Sequence, residues 1–413
     1  MKNAAVLALM LAVGVFGPQQ TLHSRYDALW VLGVLVVAAY VLQQVAQQLR
    51  LPSLLGWLAA GVLAGSAGLH LASAQDVAAL QLVRTLAALW VGFEVGIHFT
   101  WPAGLSWRGP LLISATTLVT LVALTLGIWA LSGQPWAMAL LLAAVSNLWG
   151  LFALQPTPAR RGVLTLASVG NGVALLLLLA VMALLTANGI VPAAGLQLGL
   201  RPLISLAAGA VGALGCRRLG LFEPRAHGLV AGLFAAFFVA ALLVAHWQLI
   251  ALPFGFGAGV ALVRRPLPAR RLRRFLRSLS PVAYAAYFAL MGATLQLRAL
   301  SPPVAGLGWI LAVVAVVLVV VRVLGPAVWY PACLPHRVAR RQLGWLWLPK
   351  GAMLFELLYH PDVGLVDLLP GEPGLLLHQA ALAQVVLFAL VFTTAAVWVP
   401  RRWPRSWPGG EAC

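Results

Sequence analysis

The chain has 413 residues, 62% of them apolar and 9% charged, with a mean hydropathy of +0.96 and 27 Lys+Arg against 9 Asp+Glu. So little polar surface cannot cover a water-soluble domain, and the composition is that of an integral membrane protein. The basic excess does not indicate nucleic acid: the arginines lie in short segments between apolar runs, with no zinc-ligand spacing and no RNA-binding motif.

Residues 4–17 form a short apolar run after Lys2. It fits a signal-peptide core and an extra helix equally, so residues 1–27 are set apart. Thirteen runs follow, near 28–47, 53–73, 78–98, 110–132, 136–154, 163–187, 202–216, 227–246, 249–263, 279–297, 305–330, 343–361 and 378–399. They are too long and too unalternating for barrel strands, so helices are expected. The segments after odd-numbered runs hold 20 arginines, whereas those after even-numbered runs hold only Arg201 and Arg298. This asymmetry predicts that the odd-numbered segments and the C-terminus are cytoplasmic. The expected location is the bacterial cytoplasmic (inner) membrane. The seven arginines from Arg264 to Arg277 read as a contact with anionic membrane lipid. Cys216, Cys333 and Cys413 are dispersed, which argues against a disulfide or metal framework.

Polar groups inside the apolar runs are the functional candidates. Ser168-Val169-Gly170-Asn171-Gly172 lies midway along the sixth run, and no Asp or Glu occurs between Glu94 and Glu223. The fifth run carries Ser146-Asn147-Leu148-Trp149-Gly150, and the twelfth carries Pro349-Lys350-Gly351. Both would interrupt a helix at membrane depth and free backbone carbonyls. No internal sequence repeat is evident. No GxSxG, HExxH or P-loop motif is present, so an enzyme is not expected.

Several motifs together resemble the monovalent cation:proton antiporter (sodium/hydrogen exchanger) family in its Kef-like branch. Leu51-Pro52-Ser53-Leu54-Leu55-Gly56, continuing to Gly61 and Gly65, resembles that family's "lPxvlGyllaGillG". Phe93-Glu94-Val95-Gly96-Ile97 resembles "FEVGLE", with His98 at the last Glu. Pro281 to Leu297, Pro349-Lys350-Gly351-Ala352 and Phe392-Thr393-Thr394 followed by Pro400 are similar to "plFFvxvGmxld", "pRGE" and "TTxxxP". The resemblance implies an all-α, inverted-repeat membrane domain over residues 28–402, with a short cytoplasmic tail at 403–413. It implies a core moving against a scaffold, two broken helices crossing near the ion site, a homodimer, and exchange of sodium or potassium for protons without a cofactor. The family's ion-site Asp-Asp or Asn-Asp pair aligns here with Gly170-Asn171, or one residue later with Asn171-Gly172, and either register lacks the carboxylate. The Arg and Glu of "RGE" are replaced by Lys350 and Ala352.

The chemistry of these candidates follows from their donors and acceptors. Asn171 can offer a carbonyl oxygen to a cation, or act as a packing amide between helices; glycines on both sides suggest close backbone approach. Lys350 can carry a proton if it is neutral when buried, or can bond free carbonyls as a fixed charge. Ser146 and Asn147 suit a hard cation, or bond back within their own helix. Glu94 reads as a helix-end carboxylate bonding a loop or Arg84, with proton carriage as the alternative. Glu356, six residues after Lys350, lies on another helix face. A cation about 4 Å from a charged Lys350 would be repelled by roughly 4 kcal/mol at an effective dielectric near 20. Three readings therefore stand: antiport with Lys350 neutral, a non-transporting membrane regulator, or a carrier of a different solute.

Overall fold

The computed structural model describes residues 26–49, 51, 53–65, 68–99, 108–148, 161–219, 226–263, 269–295, 303–304, 306–324, 357 and 372–387. Every regular element among them is helical. Four helices are long and apolar enough to cross a membrane, and shorter apolar helices accompany them.

The chain opens with α1 (Tyr26–Gln48), α2 (Ser53–Ala64), the single turn α3 (Ala74–Ala79) and α4 (Gln81–His98). The second run was expected to stay helical to residue 73, but α2 stops at Ala64 and the chain turns through Gly68 and His70, where φ is +55°. At 12 residues α2 is only about 18 Å long, short of a roughly 30 Å hydrocarbon core. Ser73 and Asp76 then form a reciprocal capping box that restarts the chain as α3. Next come α5 (Arg108–Ser132), α6 (Trp136–Ser146), α7 (Arg161–Ala187), α8 (Ala193–Arg218), α9 (Ala226–His246), α10 (Ala251–Val263) and α11 (Ala269–Thr294). The last are α12 (Leu307–Leu318), continued by a π-helical turn over Val319–Leu324, and α13 (Glu372–Leu387).

The tenth run was placed at 279–297, but α11 begins ten residues earlier and takes in five of the seven clustered arginines. The hydropathy of that turn-by-turn stretch is low, although Leu272, Phe275, Leu276 and Leu279 recur at helical spacing. Leu276 is fully buried, which anchors the basic end of the helix to the protein. The thirteenth run, placed at 378–399, is helical from Glu372.

The helices pack in two groups. In the first, α10 is the central member, lying against α4 on one side and α8 on the other, while α11 packs on α1, α2 and α4. Glycines set how closely these helices approach. Gly92 and Gly96 of α4 face Gly255 and Gly259 of α10, and a Cβ on any of the four would run into backbone of the opposite helix. Two pairs of glycines spaced by four give each helix one flat face, which is how helices associate where water supplies no hydrophobic drive between them. Aromatic rings fill the remaining space. Trp57 stacks on Phe288 at 6.2 Å and donates to Gln43 at 3.1 Å, tying α1, α2 and α11 together. Phe237 of α9 meets Trp90 and Phe93 of α4, each at 5.2 Å. The second group consists of α5, α6, α7, α12 and α13, with α5 touching α6, α7 and α12. It draws helices from the middle and from the end of the sequence.

Candidate ion and proton site

Helix α6 stops inside the second group. Its last residue, Ser146, and its C-cap, Asn147, are both fully buried. The final amides tighten, with Asn147 N donating to Ala144 O and Leu148 N to Val145 O, both at 3.3 Å. An 11-residue helix is about 16 Å long, so it covers roughly half the depth of a bilayer core. A buried helix end leaves carbonyls that need partners and carries the negative pole of the helix dipole.

Two side-chain hydrogen bonds at this end run between helices. Asn147 Nδ2 donates to the Thr117 carbonyl of α5 at 2.9 Å. Gln384 Nε2 of α13 donates to Ser146 Oγ at 2.7 Å. Thr116, Thr117 and Thr120 do bond back, each to the carbonyl four residues earlier, so their hydroxyls are satisfied inside α5. Gln384 Oε1 has no hydrogen-bond partner among the described residues. A fully buried acceptor of that kind, beside the end of α6, is available to a small cation.

Asn171 and Gly170 are buried in the middle of α7, which packs on both α5 and α6. Thus Ser146, Asn147, Gly170 and Asn171 all belong to the second group. Close backbone approach was expected on both sides of Asn171, but at Gly172 an added Cβ meets nothing within 4 Å. Gly172→Ala is therefore expected to fold normally and to gain about 0.5–1 kcal/mol from helix propensity, read as a small rise in melting temperature. A marked drop would mean that another group occupies that space. Lys350, Glu356 and the Pro349-Lys350-Gly351 interruption lie outside the described residues, as do Trp149 and Gly150.

Glu94 belongs to the first group. It is 7% exposed and faces α11, where it hydrogen-bonds Ser280. The single Ser280 hydroxyl proton is shared between Glu94 and the Leu276 carbonyl, 2.7 Å away, and its oxygen accepts from Trp90 Nε1 at 3.4 Å. Glu94 Oε2 and the Tyr284 hydroxyl, both buried, have no hydrogen-bond partner among the described residues. His98, at the end of the same helix, has Nδ1 2.8 Å from the Glu94 carbonyl.

Gln384, Thr117, Ser280 and Tyr284 were not singled out from the sequence. A signal existed for Gln384, since His378-Gln379 and Gln384 are polar residues inside the thirteenth run.

Apolar helices in two packed groups, with α6 ending at buried polar residues, define an all-α multi-pass membrane protein with the antiporter-type fold. No family model and no curated sequence matches the chain. Among solved structures it is similar to that of the sodium proton antiporter MjNhaP1 from Methanocaldococcus jannaschii at pH 8, with a TM-score of 0.59 and 16% identity, over 91% of this chain and 97% of that one. At that identity the likeness is one of fold.

Proposed function

We propose that the protein is a secondary transporter that exchanges a monovalent cation, sodium or potassium, for protons. The observation that carries this reading is the burial of α6's polar end in a fold shared with a sodium proton antiporter. That end supplies what a cation needs even though the usual carboxylate is absent. The helix terminus contributes roughly half an elementary negative charge. Side-chain oxygens of Ser146, Asn147, Gln384 and Asn171 are hard ligands. Broken helices with ion-binding ends near mid-membrane are the usual architecture of secondary carriers.

In this reading the second helix group is the moving core and the first is the scaffold. Gly170-Asn171 stands in place of the acidic pair of the Kef-like branch. Lys350 carries the proton and is neutral when the cation is bound. The protein is a homodimer in the bacterial cytoplasmic membrane with its C-terminus cytoplasmic.

Purified protein in liposomes with an imposed pH gradient is expected to dissipate that gradient when sodium or potassium is added. No response to either ion between about pH 6 and pH 9 overturns the proposal.

Glu94 is assigned to the joint between α4 and α11 and not to the ion path, because its partners all lie in the first group. Glu94→Gln preserves size and hydrogen bonding, so exchange is expected to persist with stability within about 1 kcal/mol of wild type. Loss of exchange in a folded Glu94→Gln protein would return Glu94 to the transport pathway.

A further inference from the structure

A cleft of about 700 Å³ opens between the C-terminal ends of α4, α8 and α10. Phe99, Leu206, Leu214 and Phe256 are among its apolar walls, and Arg217 and Arg218 close one end. Leu206, Ala210, Leu214 and Arg217 follow one another at spacings of four, four and three, so α8 presents them as a single stripe. Eleven residues from Leu206 to Arg217 rise about 16 Å, close to the hydrocarbon depth of one leaflet. Leu206 is 38% and Leu214 46% exposed, so the stripe faces outward.

Charge identifies what would cover it. Among the described residues no carboxylate pairs with Arg217 or Arg218. The arginine asymmetry puts these two residues on the cytoplasmic side. The only carboxylates assigned to that side are Glu223 and Glu411, against 20 arginines. The counter-charge must therefore come largely from outside the chain. A second copy on this face would bring four guanidinium groups together in a self-complementary contact, which disfavours it. We propose that the cleft binds one anionic phospholipid of the cytoplasmic leaflet, with an acyl chain along the α8 stripe and the phosphate on Arg217 and Arg218. Planar guanidinium donors match phosphate oxygens, and the apolar walls require a lipid tail.

Binding is measurable without transport, so it stands or falls apart from the proposed exchange. The full chain in detergent is titrated with dioleoyl phosphatidylglycerol, and retained lipid is counted by native mass spectrometry. Wild type is expected to retain one such lipid in preference to dioleoyl phosphatidylcholine. Arg217→Gln with Arg218→Gln should weaken retention roughly thirtyfold, each basic residue near the surface contributing about a factor of five. Ala210→Trp keeps both arginines but fills the cleft, and should lose the lipid as well. Unchanged retention in either variant overturns the proposal. So does equal competition by glycerol phosphate, which would reduce the site to a headgroup contact. So does a dimer that Ala210→Trp splits while lipid binding persists, which would make the cleft an interface between copies.

Discussion

Asn171→Asp should bind its cation between tenfold and a thousandfold more tightly than wild type at neutral to alkaline pH. A unit charge about 4 Å from a cation contributes roughly 4 kcal/mol at an effective dielectric near 20, and each 1.4 kcal/mol is tenfold. Asn171 is buried, at 5% exposure, so desolvation of the new carboxylate takes back part of that gain and sets the lower bound. The measurement is the sodium or potassium concentration that half-dissipates a pH gradient in liposomes. The gain should vanish as pH falls, because a protonated carboxyl no longer attracts the cation, and wild type should lack that acid-side loss. Affinity unchanged at every pH would place the cation away from Asn171 and undo its alignment with the acidic pair. Lost protein would not, since Asn171→Ser is a smaller neutral control that should fold.

The second large effect concerns the first helix group. Gly259→Val should leave little folded protein. A Cβ at Gly259 would meet the Phe93 carbonyl, with Ile97 N at 2.8 Å and Gly96 Cα at 2.9 Å. These are backbone atoms, so no rotamer change relieves the clash, and α4 and α10 must separate. Overpacking a core typically costs about 1–3 kcal/mol, and separating two helices joined by reciprocal glycine contacts should exceed the upper end. Gly33→Ala is the control, since nothing lies within 4 Å of its added Cβ. Thermal unfolding in detergent compares the two. If Gly259→Val melts within a couple of degrees of wild type, α4 and α10 do not cross as described.

Different parts of this architecture were legible to different degrees. The long apolar runs marked α1, α5 and α7 to within a few residues, because mean apolarity over a membrane-length window is a property of the segment itself. The end of α6 was legible from Ser146-Asn147, since short polar side chains loosen a helix. The start of α11 was not. Five arginines lower the hydropathy of its first turns, and an amphipathic helix is read by period and not by mean. The partner of Glu94 was equally hidden. Its surroundings come from Ser280 and Tyr284, nearly two hundred residues away, and nothing in the local sequence around Phe93-Glu94-Val95 names them. Gln384 meets Ser146 across 238 residues and escaped notice for the same reason.

Taken by itself, the amino-acid order determined the solvent and the element type. A chain this apolar must lie in lipid, and in lipid the backbone must bond within each segment. The order of short motifs further pointed to an antiporter-like arrangement. Only the tertiary structure decided which helix faces meet. It put Ser146 and Asn147 beside the Thr117 carbonyl and Gln384, sent Glu94 to the opposite group, and opened a cleft lined in part by Arg217 and Arg218. The physical reason is rotational. In a nearly all-round apolar helix hydropathy does not select an inward face, so small residues, side-chain shape and a few hydrogen bonds between distant segments select it.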